Sequence, residues 1–368
     1  MSLGNSHAPM QDDLFGNLSA PANSPRSPSL TKKPTGVRPA AHPPHLHDLA
    51  RILPTHLRMG VSTWSYPGWE GLVWDGPYEA STLSRKGLGA LSQHPLMRTV
   101  CVDRTFWRPL SKEQYAQMAM QVPDDFRFVV KCPNVVTDAL VRSEEGKAQQ
   151  RNPAFLNSNL AIDQFVRPCL QGLGDKLGVL VYQLSPLPWE ELRQPLSLFQ
   201  RLDQLLAATR HALQTAPHVI VAVEVRDPIL LEDGLIETLR THGATLCLGL
   251  HGKMPPIAQQ LPWLRRLWPT PLVCRWNLNA NFGPFGYPSA QEKHAPFNEI
   301  RSADPATLHT LARTIHGICG ASQAAYVTIS NDAEGCAPLS IERLATQLHH
   351  LSTNAAPHAS TLQNIKYR

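Results

Sequence analysis

From residue 59 onward one unit recurs along the chain: a short apolar run that ends in polar residues, then an amphipathic stretch. The runs fall at 59–63, 99–103, 127–131, 178–182, 219–225, 244–249, 272–275 and 325–330, which gives eight strand candidates. Between them, apolar residues recur at three- and four-residue steps, the period of a helix. The spacing predicts helices over 111–121, 157–172, 196–213, 229–242, 305–320 and 339–351, with a short one over 256–267. Ser111 stands where an N-cap is wanted, and Asp304 with Pro305 reads as a cap followed by proline at the first helical position. Eight strands alternating with helices call for a parallel sheet. The span 59–352 suits a closed (β/α)8 barrel, roughly 250 residues plus insertions. A doubly wound open sheet is the alternative, but no G-x-G-x-x-G follows the first strand.

The fifth run, Val219-Ile-Val-Ala-Val-Glu-Val-Arg226, says most about chemistry. Side chains alternate along a strand. Ile220, Ala222, Glu224 and Arg226 therefore share one face, and four valines share the other. A carboxylate and a guanidinium on the inner face of a buried strand are costly unless paired or used. Pro228 follows, so the two charges sit at a strand's C-terminal end, where parallel α/β enzymes keep their chemistry. A Glu–Arg pair that braces a loop is the plainer alternative.

The other runs end in the same way. They offer Ser62, Thr63, Trp64 and Tyr66; then Asp103, Lys131 and Gln183; then His251, Arg275 and Asn277; and finally Ser330, Asn331, Asp332 and Glu334. In a barrel these converge on one face and predict a site. The expected roles are Glu224, Lys131 and Asp103 as catalytic groups, with Glu224 as acid or base tuned by Lys131. Arg226, Arg275, Trp64, Tyr66, Trp107, Gln183, Asn331 and His251 are the expected substrate-binding residues: the arginines for anions, the aromatics for a ring or base. Plainer readings stay open here too. Lys131 could brace Glu224 or Asp103, and Trp64 and Tyr66 could simply plug the barrel mouth.

Several chemistries are disfavoured. Ser62 lacks a G-x-S-x-G elbow. The strand ends carry one histidine and no HxH or HExxH, so no dedicated zinc cage is expected. A carboxylate-bound Mg²⁺ at Asp103, Glu224 and Asp332 stays open, and no cofactor is identified. The seven cysteines are widely spaced with no CxxC pair, which suggests a reducing, cytoplasmic setting. No apolar run reaches transmembrane length, so no membrane partner is expected.

Residues 1–50 read as a disordered tail with eight prolines and little periodicity, 51–352 as the barrel, and 353–368 as a C-terminal extension. Within the tail, Gln11-Asp-Asp-Leu14-Phe15 resembles the Q-x-x-L-F peptides that bacterial proteins use to bind the replication sliding clamp. The similar Gln194-Pro-Leu-Ser-Leu-Phe199 starts a helical pattern and reads as core. A net charge of +5 on 368 residues is slight evidence for a nucleic-acid partner.

A family resemblance runs through these same motifs. Gly60-Val-Ser-Thr-Trp-Ser-Tyr66 with Trp69 resembles the opening G-T-S-G-W-S-Y-x-x-W of the YecE-like proteins, the domain-of-unknown-function 72 family. Thr105-Phe-Trp107 is similar to its T-F-Y, and Pro123-x-x-Phe126 through Lys131 to its P-x-x-F-x-F-x-V-K. Gln183-Leu-Ser-Pro186, Glu224-Val-Arg226 and Ser330-Asn-Asp-Ala-Glu-Gly335 resemble its Q-L-P-P, E-x-R and N-N-x-x-x-G. The resemblance implies a TIM-like barrel with a polar pocket at the strand ends. Cys101-Val-Asp103, Thr137-Asp138 and Arg275-Trp-Asn-Leu278 stand where the family has a Glu and two histidines, which marks a divergent member. The expected function is an enzyme-like pocket for a small phosphate- or carboxylate-bearing ligand, with hydrolysis of a phosphodiester or nucleotide as its chemistry. The alternatives are a non-catalytic DNA repair or replication accessory recruited through Gln11, Leu14 and Phe15, and a sugar-phosphate isomerase.

Overall fold

The computed structural model describes residues 36–143 and 147–355. The first strand, β1 (Leu57–Val61), is followed by β2 (Thr99–Val102), β3 (Arg127–Lys131) and a short antiparallel hairpin of β4 (Leu140–Arg142) and β5 (Ala148–Arg151). Then come β6 (Leu177–Gln183), β7 (Ile220–Glu224), β8 (Thr245–Leu250), β9 (Leu272–Trp276) and β10 (Ala325–Ile329). Eight of these close into one parallel barrel in the order β1-β10-β9-β8-β7-β6-β3-β2, with β2 returning to β1. This is the (β/α)8 closure that the alternation predicts, and it excludes the open sheet.

Each strand buries both faces, in different places. Val221 and Val223 on β7, Phe128 and Val130 on β3, and Leu272, Cys274 and Trp276 on β9 point outward into the layer between barrel and helices. Cys101, Val129, Val179, Val181, Ala222, Cys247, Val273 and Tyr326 point inward and form a separate apolar plug. The helices are set by local signals as well as by packing. Ser111 and Gln114 form a reciprocal capping box at the start of Lys112–Ala119. The Asp304 carboxylate accepts from the Thr307 amide at 3.0 Å and opens Pro305–Gly320. Leu198 and Phe199 are buried in Pro195–Ala212, so the second clamp-like sequence is core, as its helical pattern indicated.

The structure departs from the sequence reading at the edges of this pattern. Residues 36–50 were read as part of a disordered tail, yet Pro39 bridges Trp74 and Pro44–Ile52 is a helix. That helix buries Leu46, and His45 meets Glu342 on the last helix at 2.9 Å. Leu49, Ala50 and Leu53 pack beside Leu46 at helical spacing, a short period that the surrounding prolines conceal. Gln11, Leu14 and Phe15 lie outside the described residues, as do 356–368. The last helix, Ala337–Ala355, passes the expected boundary at 352. The connection after β3 holds the hairpin, and the one after β9 holds the helix Tyr287–His294. Among the described residues, no helix is long and apolar enough to cross a membrane.

Candidate functional site

The inner face of each strand carries small or apolar residues at its lower positions and a polar one at its C-terminal end. Period two takes Cys101 to Asp103, Val129 to Lys131, Val181 to Gln183, Ala222 to Glu224, and Val273 to Arg275. The polar side chains so aligned meet above the plug.

Arg275 is the hub. Its Nη2 donates to Asp103 Oδ1 at 2.6 Å, and its Nη1 donates to Glu224 Oε2 at 2.6 Å and to Gln183 Oε1 at 3.2 Å. Arg226 donates through Nη2 to Glu224 Oε1 at 2.7 Å and to Gln183 Oε1 at 2.9 Å. Asn277, two residues past Arg275, reaches Glu224 Oε1 at 3.5 Å. Glu224 is 0% exposed. Gly249 on neighbouring β8 makes room for it, because a Cβ there would sit 2.9 Å from Glu224 Oε1. Lys131 is 8% exposed, and its ammonium lies 3.6 Å from the centroid of the Phe106 ring.

The charges bias one another. Burial works against the Glu224 carboxylate, but Arg226, Arg275 and Lys131 outweigh it and hold Glu224 below its ordinary range. Burial opposes Asp103 in the same way, and Arg275 and Lys131 again hold the group low. Lys131 goes the other way: burial, with help from Arg275 and Arg226, pushes it down to about 8 against the pull of Asp103 and Glu224. His251 is lowered to about 4, first by burial and then by Arg226, so near neutral pH it is an uncharged imidazole. Asp332 is pushed up to about 7 by burial, against the hydrogen bond from Ser330.

Of the residues expected from sequence, Asp103, Lys131, Gln183, Glu224, Arg226 and Arg275 come together, and His251 lies beside them. Trp64 is buried, with its guanidinium neighbour Arg104 5.6 Å from the ring, and both line a small cleft with Thr63, Ser84, Cys101 and Asp103. Tyr66 packs against Trp69 and Phe297, each at 5.1 Å between ring centroids, which makes it part of the mouth's aromatic plug. Two of the expected residues do not join the charged cluster directly. Trp107 is 70% exposed and packs edge-on against Phe106 at 5.1 Å between ring centroids. Its neighbour Phe106 faces Lys131 instead, because the chain leaves β2 in the 3-10 turn Asp103–Phe106 and strand alternation stops there. Asn331 is buried, and its Oδ1 accepts from Trp69 Nε1 at 3.3 Å and from the Ala337 amide at 2.8 Å. That oxygen is committed to the scaffold, while the amide nitrogen Nδ2 is buried without a hydrogen-bond partner.

The carboxylates do not assemble a cation cage. Among the described residues, no group of three His, Cys, Asp or Glu side chains is placed to hold a metal ion. Arg275 stands between Asp103 and Glu224: both Glu224 oxygens and Asp103 Oδ1 are already bonded to guanidinium groups. The set suits an anion better than a cation. Phe106 and Tyr287 are the residues that sequence reasoning left out of the site; Asn277, named among the strand ends, was given no role there. Tyr287, whose ring lies 5.4 Å from that of His251, comes from a long connection where no periodicity applies.

Known proteins agree with this architecture. The family model described as "Protein of unknown function DUF72" matches residues 58–363. No curated protein matches the chain. A solved DUF72 family protein from Enterococcus faecalis superposes with a TM-score of 0.52 at 15% identity, covering 80% of this chain and 95% of that one. One from Thermotoga maritima gives 0.49 at 19% identity, covering 80% and 99%. The likeness to the Enterococcus faecalis protein is one of fold. The family match spans most of the sequence and takes in every strand of the barrel, and the chain belongs to the DUF72 family.

Proposed function

We propose that the mouth of the barrel binds a small phosphate- or carboxylate-bearing ligand. One observation carries this reading: three cationic side chains, Lys131, Arg226 and Arg275, face two carboxylates, Asp103 and Glu224, in a buried cluster. The excess positive charge is short of a counter-ion. Arg275 commits both terminal nitrogens to its two carboxylates and, like Arg226, keeps a buried Nε without a partner; Arg226, paired with one carboxylate, and Lys131 are the less compensated charges. Arg226 is bonded through Nη2, while its Nε is buried with no partner. A guanidinium edge beside an ammonium is a common way to receive phosphate or carboxylate.

Glu224 takes a different role from the general acid or base expected from its position. A carboxylate with no exposure, bonded to two arginines and held below its usual range, gives up its charge reluctantly. It orients Arg226 and Arg275, and Asp103 does the same for Arg275. A nucleotide or phosphodiester supplies such an anion and is the preferred ligand class. The test is calorimetric titration with inorganic phosphate and a nucleoside monophosphate. Arg226→Gln should weaken binding roughly tenfold or more, the worth of one charge-assisted pair. If the unaltered protein binds no anion at millimolar concentration, the reading fails.

A further inference from the structure

We propose that Lys131 is a nucleophile that condenses with the carbonyl group of a 2-oxo carboxylic acid, forming an imine while Arg226 holds the acid's carboxylate. The carboxylate contact rests on the anion-binding reading above; the imine does not. Four observations point to it. Lys131 ends β3 on the inner face, at the end of the barrel where chemistry collects, and reaches solvent with only 8% of its surface. Its ammonium has no hydrogen-bond acceptor among the described residues; what it faces is the Phe106 ring at 3.6 Å. The nearby Asp103 directs its Oδ1 to Arg275 at 2.6 Å and to the Cys101 thiol at 3.2 Å, not to Lys131. Two guanidinium groups share the cluster, which favours loss of a proton from the amine. A lysine kept from water beside other cations is the usual setting for an amine that attacks carbonyls.

The step balances without any other reactant. The Lys131 ammonium gives one proton to water, and the neutral Nζ adds its lone pair to the carbonyl carbon as the C=O π pair moves to oxygen. A proton passes from nitrogen to that oxygen to give the carbinolamine; the hydroxyl then takes back the proton first released and leaves as water while the nitrogen lone pair forms the C=N bond. The protonated imine keeps the positive charge that Lys131 had as ammonium, so Asp103 and Glu224 still face a cation. A 2-oxo acid fits better than a simple ketone because its carboxylate, next to the reacting carbon, meets the unpaired edge of Arg226.

Reductive trapping tests this. The full chain is incubated with pyruvate and cyanoborohydride, which delivers hydride to the imine carbon and fixes it as a secondary amine. Peptide mapping then locates the adduct. The expected result is one main adduct, on Lys131, that forms faster as pH rises towards the amine's pKa of about 8. It should form roughly tenfold faster than with acetone, as one additional charge-assisted contact implies. Equal trapping by acetone and pyruvate upholds the imine and removes the carboxylate's role. Calorimetric binding of anions with Lys131 left unmodified overturns the imine and leaves the anion site standing. Adducts confined to exposed lysines overturn it as well. Because the map reads the unaltered protein, the result does not depend on whether Lys131→Arg folds.

Discussion

Two layers of the barrel interior are built from the same strands, a few residues apart, by opposite physics. The lower layer is Val129, Val179, Val181, Ala222, Val273 and their neighbours: small apolar side chains that interdigitate and exclude water. The upper layer replaces each with a charged or amide group and is held by a chain of bonds through Arg275, Glu224, Arg226, Gln183 and Asp103. Contacts in the lower layer are numerous and individually weak, so a lost methyl is a local loss. Contacts in the upper layer are few and mutually dependent, so a lost partner strands a buried charge. Closure of the barrel draws on the first layer, and capacity for chemistry on the second.

The comparison breaks most visibly at its hub. Arg275→Met removes the partner of both Asp103 and Glu224 and should cost about 3–5 kcal/mol in urea denaturation, as breaking a buried pair does. A loss under about 1 kcal/mol would mean that the carboxylates find other partners and the network is not interdependent. In the plug, Val273→Ala deletes two methyl groups on the same strand and should cost roughly 2 kcal/mol. Anion affinity measured by calorimetry should stay as it was, since the polar layer keeps its bonds.

A third variant uses pH. The Asp332 carboxyl is raised from 3.8 to about 7 in the folded protein, so the folded state holds this proton more tightly than the unfolded one between those values. Stability is therefore lost as pH rises across that window, and the cost is fully present above it. Asp332→Asn should raise the Tm near about pH 8 and leave it unchanged below about pH 4. An equal shift at both would trace the effect to packing. The smallest effect belongs to Trp107→Ala. With its ring in solvent, stability should move by less than about 0.5 kcal/mol and anion affinity not at all.

What could be read in advance follows from periodicity. Alternation by two placed Glu224 and Arg226 inside the barrel and carried Asp103, Lys131 and Arg275 to the same level, because a strand gives each residue a defined face. Where the chain left that period, legibility ended. The 3-10 turn after β2 exchanged Trp107 for Phe106 beside Lys131. Asn331 divides its amide: the oxygen holds Trp69 and the start of the last helix, and the nitrogen is left without a partner, a split that no strand period foretells. The helix Pro44–Ile52 was legible in its own spacing, Leu46, Leu49, Ala50 and Leu53 at helical steps, but the prolines around it read as tail; its contact with Glu342, nearly three hundred positions away, is what no local pattern announces.

Gly249 ties the history of one strand to that of another. The space a side chain would take there is filled by the Glu224 carboxylate. A lineage that kept the glutamate could explore almost nothing at 249. One that first shortened residue 224 would free 249 to vary, but Arg226 and Arg275 would then have lost the acid they share. The two positions are thus expected to change together or stay fixed together. A relative with a bulky residue at the equivalent of 249 should carry a different arrangement of charge at the mouth of its barrel.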